Sequence, residues 1–225
     1  MIETAKVASA SAVIEAAVAR HEGRIALACS FGGPTGMILL DLIARRADRL
    51  PVYYLDTGLL FDETYALVDR VRERYGIDPI AVRPELSVEA QNARHGEALW
   101  TRDPDACCEI RKVEPQRAFL ANYGAWITGL RRSQTATRAE VVFAAPDEVH
   151  AGIEKIAPLA DWTDGDVWSY VLTNDVTYNP LNDAGFPSVG CTHCTRAILP
   201  GEDARAGRWS GFAKTECGLH LAPHS

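Results

Sequence analysis

Short apolar runs alternate with stretches of helical periodicity from residue 24 to residue 130, and this alternation restricts the fold more than any other feature of the chain. "RIALACS" (24–30), "PVYYLDTG" (51–58) and "IDPIAVRP" (77–84) read as strands. Between them, "TGMILLDLIARRA" (35–47) and "DETYALVDRVRERYG" (62–76) space their apolar residues as helices do, with Gly76 closing the second. Strand, helix and strand in succession predict βαβ units and an α/β fold with an open parallel sheet. An Ala-rich amphipathic helix is expected over residues 4–20, a further strand at "AWITGL" (125–130), and shorter strands in "EVVFAA" and "DEVHAGIEKIAPL". A helix runs through "PDACCEIRKVEPQRAFLAN", where Pro115 predicts a kink or break. Thr163 followed by Asp166 marks a helix start in "DWTDGDVWSYVLTND". The last fifty residues are rich in Gly, Pro, Cys and His and show little periodicity. The expected organisation is one α/β domain over 1–200 and a flexible C-terminal tail over 201–225.

With 225 residues, 47% of them hydrophobic, and a net charge of −7, the chain has an ordinary globular composition. Its acidity argues against a nucleic-acid surface but leaves room for a local basic pocket. The first residues lack the basic region and apolar run of a signal peptide, and no stretch approaches the roughly 20 apolar residues of a membrane span. The expectation is therefore a cytoplasmic protein without a membrane partner. A homo-oligomer is compatible with the sequence, which does not report assembly. In a reducing compartment the six cysteines read as metal ligands or catalytic thiols before they read as disulfides.

Cys107 and Cys108 in "DACCEIRK" are matched by Cys191 and Cys194 in "GCTHCTR". A disulfide between neighbouring residues is strained, because a trans peptide barely reaches the Cα separation it needs. Four thiolates suffice to close a tetrahedral zinc site or to ligate an iron–sulfur cluster. Neighbours on an ideal helix point ~100° apart, and a cluster spreads its ligand positions where a single ion does not. The geometry thus favours a [4Fe–4S] cluster over zinc. Lys112 falls four residues after Cys108, on the same helical face, where it could offset the cluster's charge of about −2 or reach an anionic substrate. As part of the "EIRK" charge run it reads equally as a solvated surface lysine.

Cys217 stands apart in "KTECGLHLAPHS", with Lys214 and His220 nearby in sequence to favour its thiolate. It is either a nucleophile that visits two places or an incidental terminal cysteine. Cys29, ending the first strand, reads as core packing.

"SFGGPTG" (30–36) joins the first strand to its helix, and "LDTG" (55–58) follows the second strand. Gly-rich turns at neighbouring strand ends, with helix N-termini behind them, form the usual ligand crevice of an open sheet and suit an anion. "GLRRSQTATR" (129–138) contributes Arg131, Arg132 and Arg138; "EDARAGRWSG" (202–211) contributes Arg205 and Arg208. Each arginine alone reads as a surface residue, but beside such turns they point to a polyanionic ligand.

"SFGG", "LDTG", "CCEIRK", "GLRRSQTATR", "GCTHCTR" and "ECGLH", in this order from about Arg24 to His220, resemble the iron–sulfur-cluster type of assimilatory adenylyl-sulfate (APS) reductase. That group sits within the wider phosphoadenylyl-sulfate (PAPS) reductase family. The resemblance implies a Rossmann-like fold of the adenine nucleotide alpha hydrolase type. It also implies thioredoxin-dependent reduction of adenosine 5′-phosphosulfate to sulfite and AMP through an S-sulfocysteine at Cys217, in sulfate assimilation. Cys107, Cys108, Cys191 and Cys194 would hold the [4Fe–4S] cluster. Lys112 would act with Cys217 near the sulfate, the catalytic His220 would contact the phosphosulfate end with Arg205 and Arg208, and Arg138 would make a further anion contact. Ser30, Phe31, Gly32, Gly33, Leu55, Asp56, Thr57 and Gly58 match the adenosine and phosphate loops. One departure is "GGPTG", where family members commonly carry a "GAED"-like loop; backbone contacts of Gly32 and Gly33 carry over and the acidic contacts do not. Alternatives are PAPS as sole or second substrate, a zinc-stabilised nucleotide-binding module without chemistry, and an ATP-pyrophosphatase relative, whose "SGGxDS"-like loop is not matched.

Overall fold

The computed structural model describes residues 4–46 and 49–220. Helix α1 (Thr4–His21) leads into β1 (Ile25–Ala28), α2 (Pro34–Ala44), β2 (Val52–Leu55), α3 (Asp62–Tyr75) and β3 (Ile80–Val82). Helices α4 (Val88–His95), α5 (Pro104–Cys108) and α6 (Glu114–Leu120) precede β4 (Ala125–Ile127), β5 (Ala144–Pro146), β6 (Glu154–Ile156) and α7 (Asp164–Thr173). Of the expected segments, Ala47 and the chain ends 1–3 and 221–225 lie outside the described residues.

The strand order is β3-β2-β1-β4-β6-β5. Every neighbouring pair is parallel except β5, which runs antiparallel to β6 at one edge. From β1 the chain steps outward through β2 and β3, then returns to the other side of β1 for β4. The direction of winding therefore reverses between β1 and β4, where an open α/β sheet leaves its crevice.

Side-chain alternation along the strands builds two layers. Ile25, Leu27, Val52, Tyr54, Ile127 and Ile156 pack against α1, α2, α3 and α7. Ala26, Tyr53, Val82 and Trp126 face the other way, onto Leu120 and Phe119 of α6. Burial on both faces is why these strands read as unbroken apolar runs. Asp41, buried within α2, accepts hydrogen bonds from Tyr170 Oη (2.8 Å), Arg45 Nε (2.8 Å) and Tyr75 Oη (3.3 Å), so one carboxylate ties α2 to α3 and α7. The start of α7 is the expected capping box, Thr163 Oγ1 accepting from the Asp166 amide (3.2 Å) and Asp166 Oδ2 from the Thr163 amide (2.8 Å).

Pro115 does not break its helix. A π-helical turn, Glu109–Val113, joins α5 to α6, its closing amide at Glu114 donating to Glu109 O, and Pro115 sits in the first turn of α6, where proline is tolerated. The last segment begins beside the cysteine loop. It turns back after Cys194, with Trp209 N donating to Cys194 O (3.0 Å) and Arg196 N to Gly207 O (2.9 Å), and runs along the sheet's crevice as far as His220.

Candidate active site

A cavity of about 700 Å³ opens at the reversal between β1 and β4. Ala28 of β1, Tyr53 to Leu55 of β2 and Thr128 after β4 line its base, while Glu216, Cys217, Leu219 and His220 line it from the C-terminal segment. Ser30, Gly32, Gly33 and Leu55 of the expected loops face this space. Gly32 has no room for a side chain: a Cβ there would stand 2.7 Å from Val189 O.

Four of the expected loop residues do not line the cavity. Phe31 is fully buried and packs edge-on against Tyr54 (5.6 Å). Asp56 accepts from Tyr65 Oη (2.7 Å), Arg83 Nε (2.9 Å) and the Gly58 amide (3.2 Å), which pins the turn after β2. Thr57 and Gly58 lie toward a second, smaller cavity, where Gly58 takes a left-handed φ of 69°. A strand-end motif identifies the turn but not which of its side chains point inward.

The second cavity, about 10 Å³, is lined by Cys107, Cys108, Cys191 and Cys194 together with Arg111, Lys112, Trp100 and His193. Adjacent and distant cysteines thus meet in one place. Among the described residues no three His, Cys, Asp or Glu side chains are grouped as ligands of one metal ion. Thr57 Oγ1 lies 3.4 Å from Cys191 Sγ, and Gln91 Nε2 donates to Cys107 Sγ at 3.9 Å. Trp100 and His193 stack at 4.4 Å along the wall. Burial pushes the Cys107 and Cys194 thiols up to about 11. Burial would also raise Cys191, but the Lys112 ammonium, the Thr57 hydroxyl and Arg208 bring it below the ordinary thiol value.

Two buried cations sit among these thiols. Arg111 donates to Thr57 O (2.6 Å), Gln91 Oε1 (3.1 Å) and Leu86 O (3.4 Å). Lys112 is only 9% exposed, which overturns its reading as a solvated surface residue. Burial alone would lower the Lys112 pKa; proximity to Cys191, Cys108 and Cys217 raises it instead. Neither cation pairs with a carboxylate among the described residues. Lys112 lines both cavities and is their common wall.

Arg138, Arg205 and Arg208 all line the larger cavity, in different states. Arg208 donates to Ser188 Oγ (3.2 Å) and lies over the Trp209 ring (4.4 Å), whereas Arg138 and Arg205 are both bonded to Glu216. Cys217 is half-buried on the cavity wall, close enough to Lys112 to affect its charge. Lys214, expected beside that thiol, pairs with Asp105 instead. His220 stacks on Trp126 (5.6 Å), and its carbonyl accepts from Lys155 Nζ (3.3 Å). Burial, then Arg138 and Lys155, hold His220 well below the usual histidine value. Trp126 Nε1 in turn donates to Asp147 (2.7 Å), which also holds His150 Nδ1 (2.8 Å) and Lys155 Nζ (3.1 Å).

Arg111, Gln91, Glu216 and the Trp126–Asp147–Lys155 group were not singled out from the sequence. Glu216 alone carried a visible mark, as the first letter of "ECGLH". The others look like ordinary polar residues of helices and strands.

A mostly parallel sheet with glycine turns around a crevice at its winding reversal defines a nucleotide-binding α/β fold. Solved structures agree at the level of fold: a Candida glabrata FMN adenylyltransferase superposes with a TM-score of 0.63 at 17% identity, over 85% of this chain and 64% of that one. A phosphoadenylyl-sulfate reductase from Candida auris, a phosphate complex, superposes at 0.72 with 31% identity, covering 84% and 90%. Residues 24–197 match the model of the phosphoadenosine phosphosulfate reductase domain, and this chain belongs to that family of enzymes. Relatives named adenosine 5′-phosphosulfate reductase include those of Bacillus pumilus, 47% identical over 94% of this chain and 90% of that protein, and Bacillus subtilis, 45% identical with the same coverage.

Proposed function

We propose that this protein reduces adenosine 5′-phosphosulfate to sulfite and AMP in sulfate assimilation, with thioredoxin or a similar dithiol protein as electron donor. The observation that carries this reading is Lys112: one buried cation, beside Cys217, forms the wall between the four-cysteine cavity and the nucleotide-sized cavity. The Gly32 and Gly33 amides and Leu55 at the end of β2 would hold the nucleotide, with the phosphosulfate directed at Lys112 and Arg208.

Cys217 Sγ, as thiolate, attacks the sulfur of the substrate. The bond from sulfur to the bridging phosphate oxygen breaks, AMP leaves with that electron pair, and Cys217 carries the sulfonate. Lys112 and Arg208 offset the negative charge that gathers on the transferring group. A donor thiolate then attacks Cys217 Sγ, sulfite departs, and the second donor thiol releases Cys217 as the donor's disulfide forms. Sulfur gains two electrons and the dithiol loses two, so no other redox group need change state.

Cys107, Cys108, Cys191 and Cys194 would hold a [4Fe–4S] cluster. Their donor set fits one, and so do Arg111 and Lys112, two buried cations that pair with no carboxylate among the described residues and that an anionic group would match. When bound, the cluster would supply fixed negative charge and tie the α5 segment to the "CTHC" loop. No helix among the described residues is long and apolar enough to cross a membrane, and reduced thiols suit a cytoplasmic location.

The test is incubation of the iron-loaded protein with substrate but no dithiol, followed by intact mass and peptide mapping. A sulfonate adduct on Cys217 is expected. Sulfite formation without an adduct, or a colourless zinc protein, overturns the reading. Activity with the 3′-phosphorylated substrate would widen it to the dual-substrate alternative.

A further inference from the structure

Glu216 adjoins Cys217 in sequence, and its carboxylate is almost fully enclosed, with side-chain exposure of 5%. Arg138 grips it through two parallel bonds, Nε to Oε1 (2.8 Å) and Nη2 to Oε2 (2.7 Å). Arg205 Nη2 adds a third contact to Oε2 (3.3 Å) and donates to the neighbouring Thr215 carbonyl (2.8 Å). Gln134 Oε1 holds Arg138 from behind (2.6 Å). A bidentate guanidinium fork suits a carboxylate, a phosphate or a sulfate equally well. Both arginines line the larger cavity, so the anion they now grip belongs to the chain itself.

We propose that Glu216 is a latch for the C-terminal segment, occupying Arg138 and Arg205 until the anionic end of the substrate takes the same guanidiniums. This deepens the proposed function and rests on it. Glu216, Cys217, Leu219 and His220 line one wall of the cavity, so lifting the segment frees Arg138 and Arg205 for the anionic end of a nucleotide and exposes Cys217 to a donor thiol. Removing one partner from a buried ion pair strands a charge, whereas lifting the whole segment returns both partners to water. A latch of this kind can therefore be firm and still reversible. An arriving anion compensates the arginines as Glu216 leaves them, which couples ligand entry to release of the segment. Glu216 is in these terms a positioning residue, acting on Cys217 through the chain.

The experiment compares wild type, Glu216→Gln and Glu216→Asp as full-length, iron-loaded proteins. Cys217 is alkylated with iodoacetamide across a pH series, mapped by peptide mass, and compared at the high-pH plateau so that changes in thiolate fraction drop out. The plateau rate should rise roughly tenfold in Glu216→Gln and stay near wild type in Glu216→Asp, which keeps the charge. Inorganic sulfate, against chloride at equal ionic strength, should speed alkylation of wild type and leave Glu216→Gln unchanged. The KM for adenosine 5′-phosphosulfate should fall in Glu216→Gln, because an internal competitor is gone. Plateau rates within twofold of one another, or sulfate slowing both proteins alike, overturn the latch. A wild type that forms no Cys217 adduct with substrate overturns the proposed function instead.

Discussion

The two cavities share Lys112 but are built in opposite ways. The four-cysteine cavity is small, and its walls are joined by short bonds between buried groups, Arg111 to Thr57 O (2.6 Å) above all. The larger cavity is open, its base made by strand ends and its roof by a segment held through ion pairs and ring stacking. Contacts of the first kind are lost only at the cost of stranding polar groups. Those of the second can be traded for water or for a ligand. The first cavity is suited to a permanent occupant and the second to traffic.

The sharpest way to break this contrast is at the roof. Cys217→Ser should abolish sulfite release while iron and sulfide contents stay at wild-type levels; turnover in that variant would remove the nucleophile assignment. Arg111→Met strikes the four-cysteine cavity. It leaves Thr57 O and Gln91 Oε1 unpaired and should cost about 3 kcal/mol. Thermal unfolding should report this as a midpoint about 6–12 °C lower, with iron lost on gel filtration. Lys112→Ala, on the shared wall, should lower kcat/KM roughly 100-fold, about 2.7 kcal/mol, with iron retained. Unchanged kinetics would show that the two cavities do not communicate through it.

The smallest effect lies beneath the roof, at Asp147. Burial opposes its ionisation, but the His150 hydrogen bond and Lys155 bring its pKa down to about 2. A carboxyl depressed in the folded state stabilises above its unfolded value near 3.9 and loses that contribution as pH falls through the folded value. Wild type should therefore shed about 2 kcal/mol between pH ~4 and ~2 that Asp147→Asn does not, measured by urea unfolding along a pH series.

The chain declared its sheet openly and its site only in outline. Strands β1 and β2 with helices α2 and α3 stand where apolar runs and periodic helices were expected, because burial on both faces leaves little choice of residue. Helix α4 escaped notice: Gln91 is its buried residue, and only Ser87, accepting from the Ala90 amide (3.1 Å), signals its start. The cysteines were legible as pairs, and the structure brings them to one cavity. Arg111 and Glu216 were not legible as buried groups, because a buried charge and a solvated one are spelled alike. Only the fold shows that the partner of Glu216 lies 78 residues away.

The wide turn at Glu109–Val113 gives the cysteine helix one residue more than a regular coil along the same path would use. That surplus works like a spacer under a gear. It sets the angular phase between Cys107 and Cys108 on one side and Pro115 on the other, and Lys112 takes its aim from that phase. A single-residue deletion at this point would close the wide turn into a regular coil, leaving the flanking halves and the sheet in place while the wall cation, inside the turn, shifts by about one helical step of ~100°.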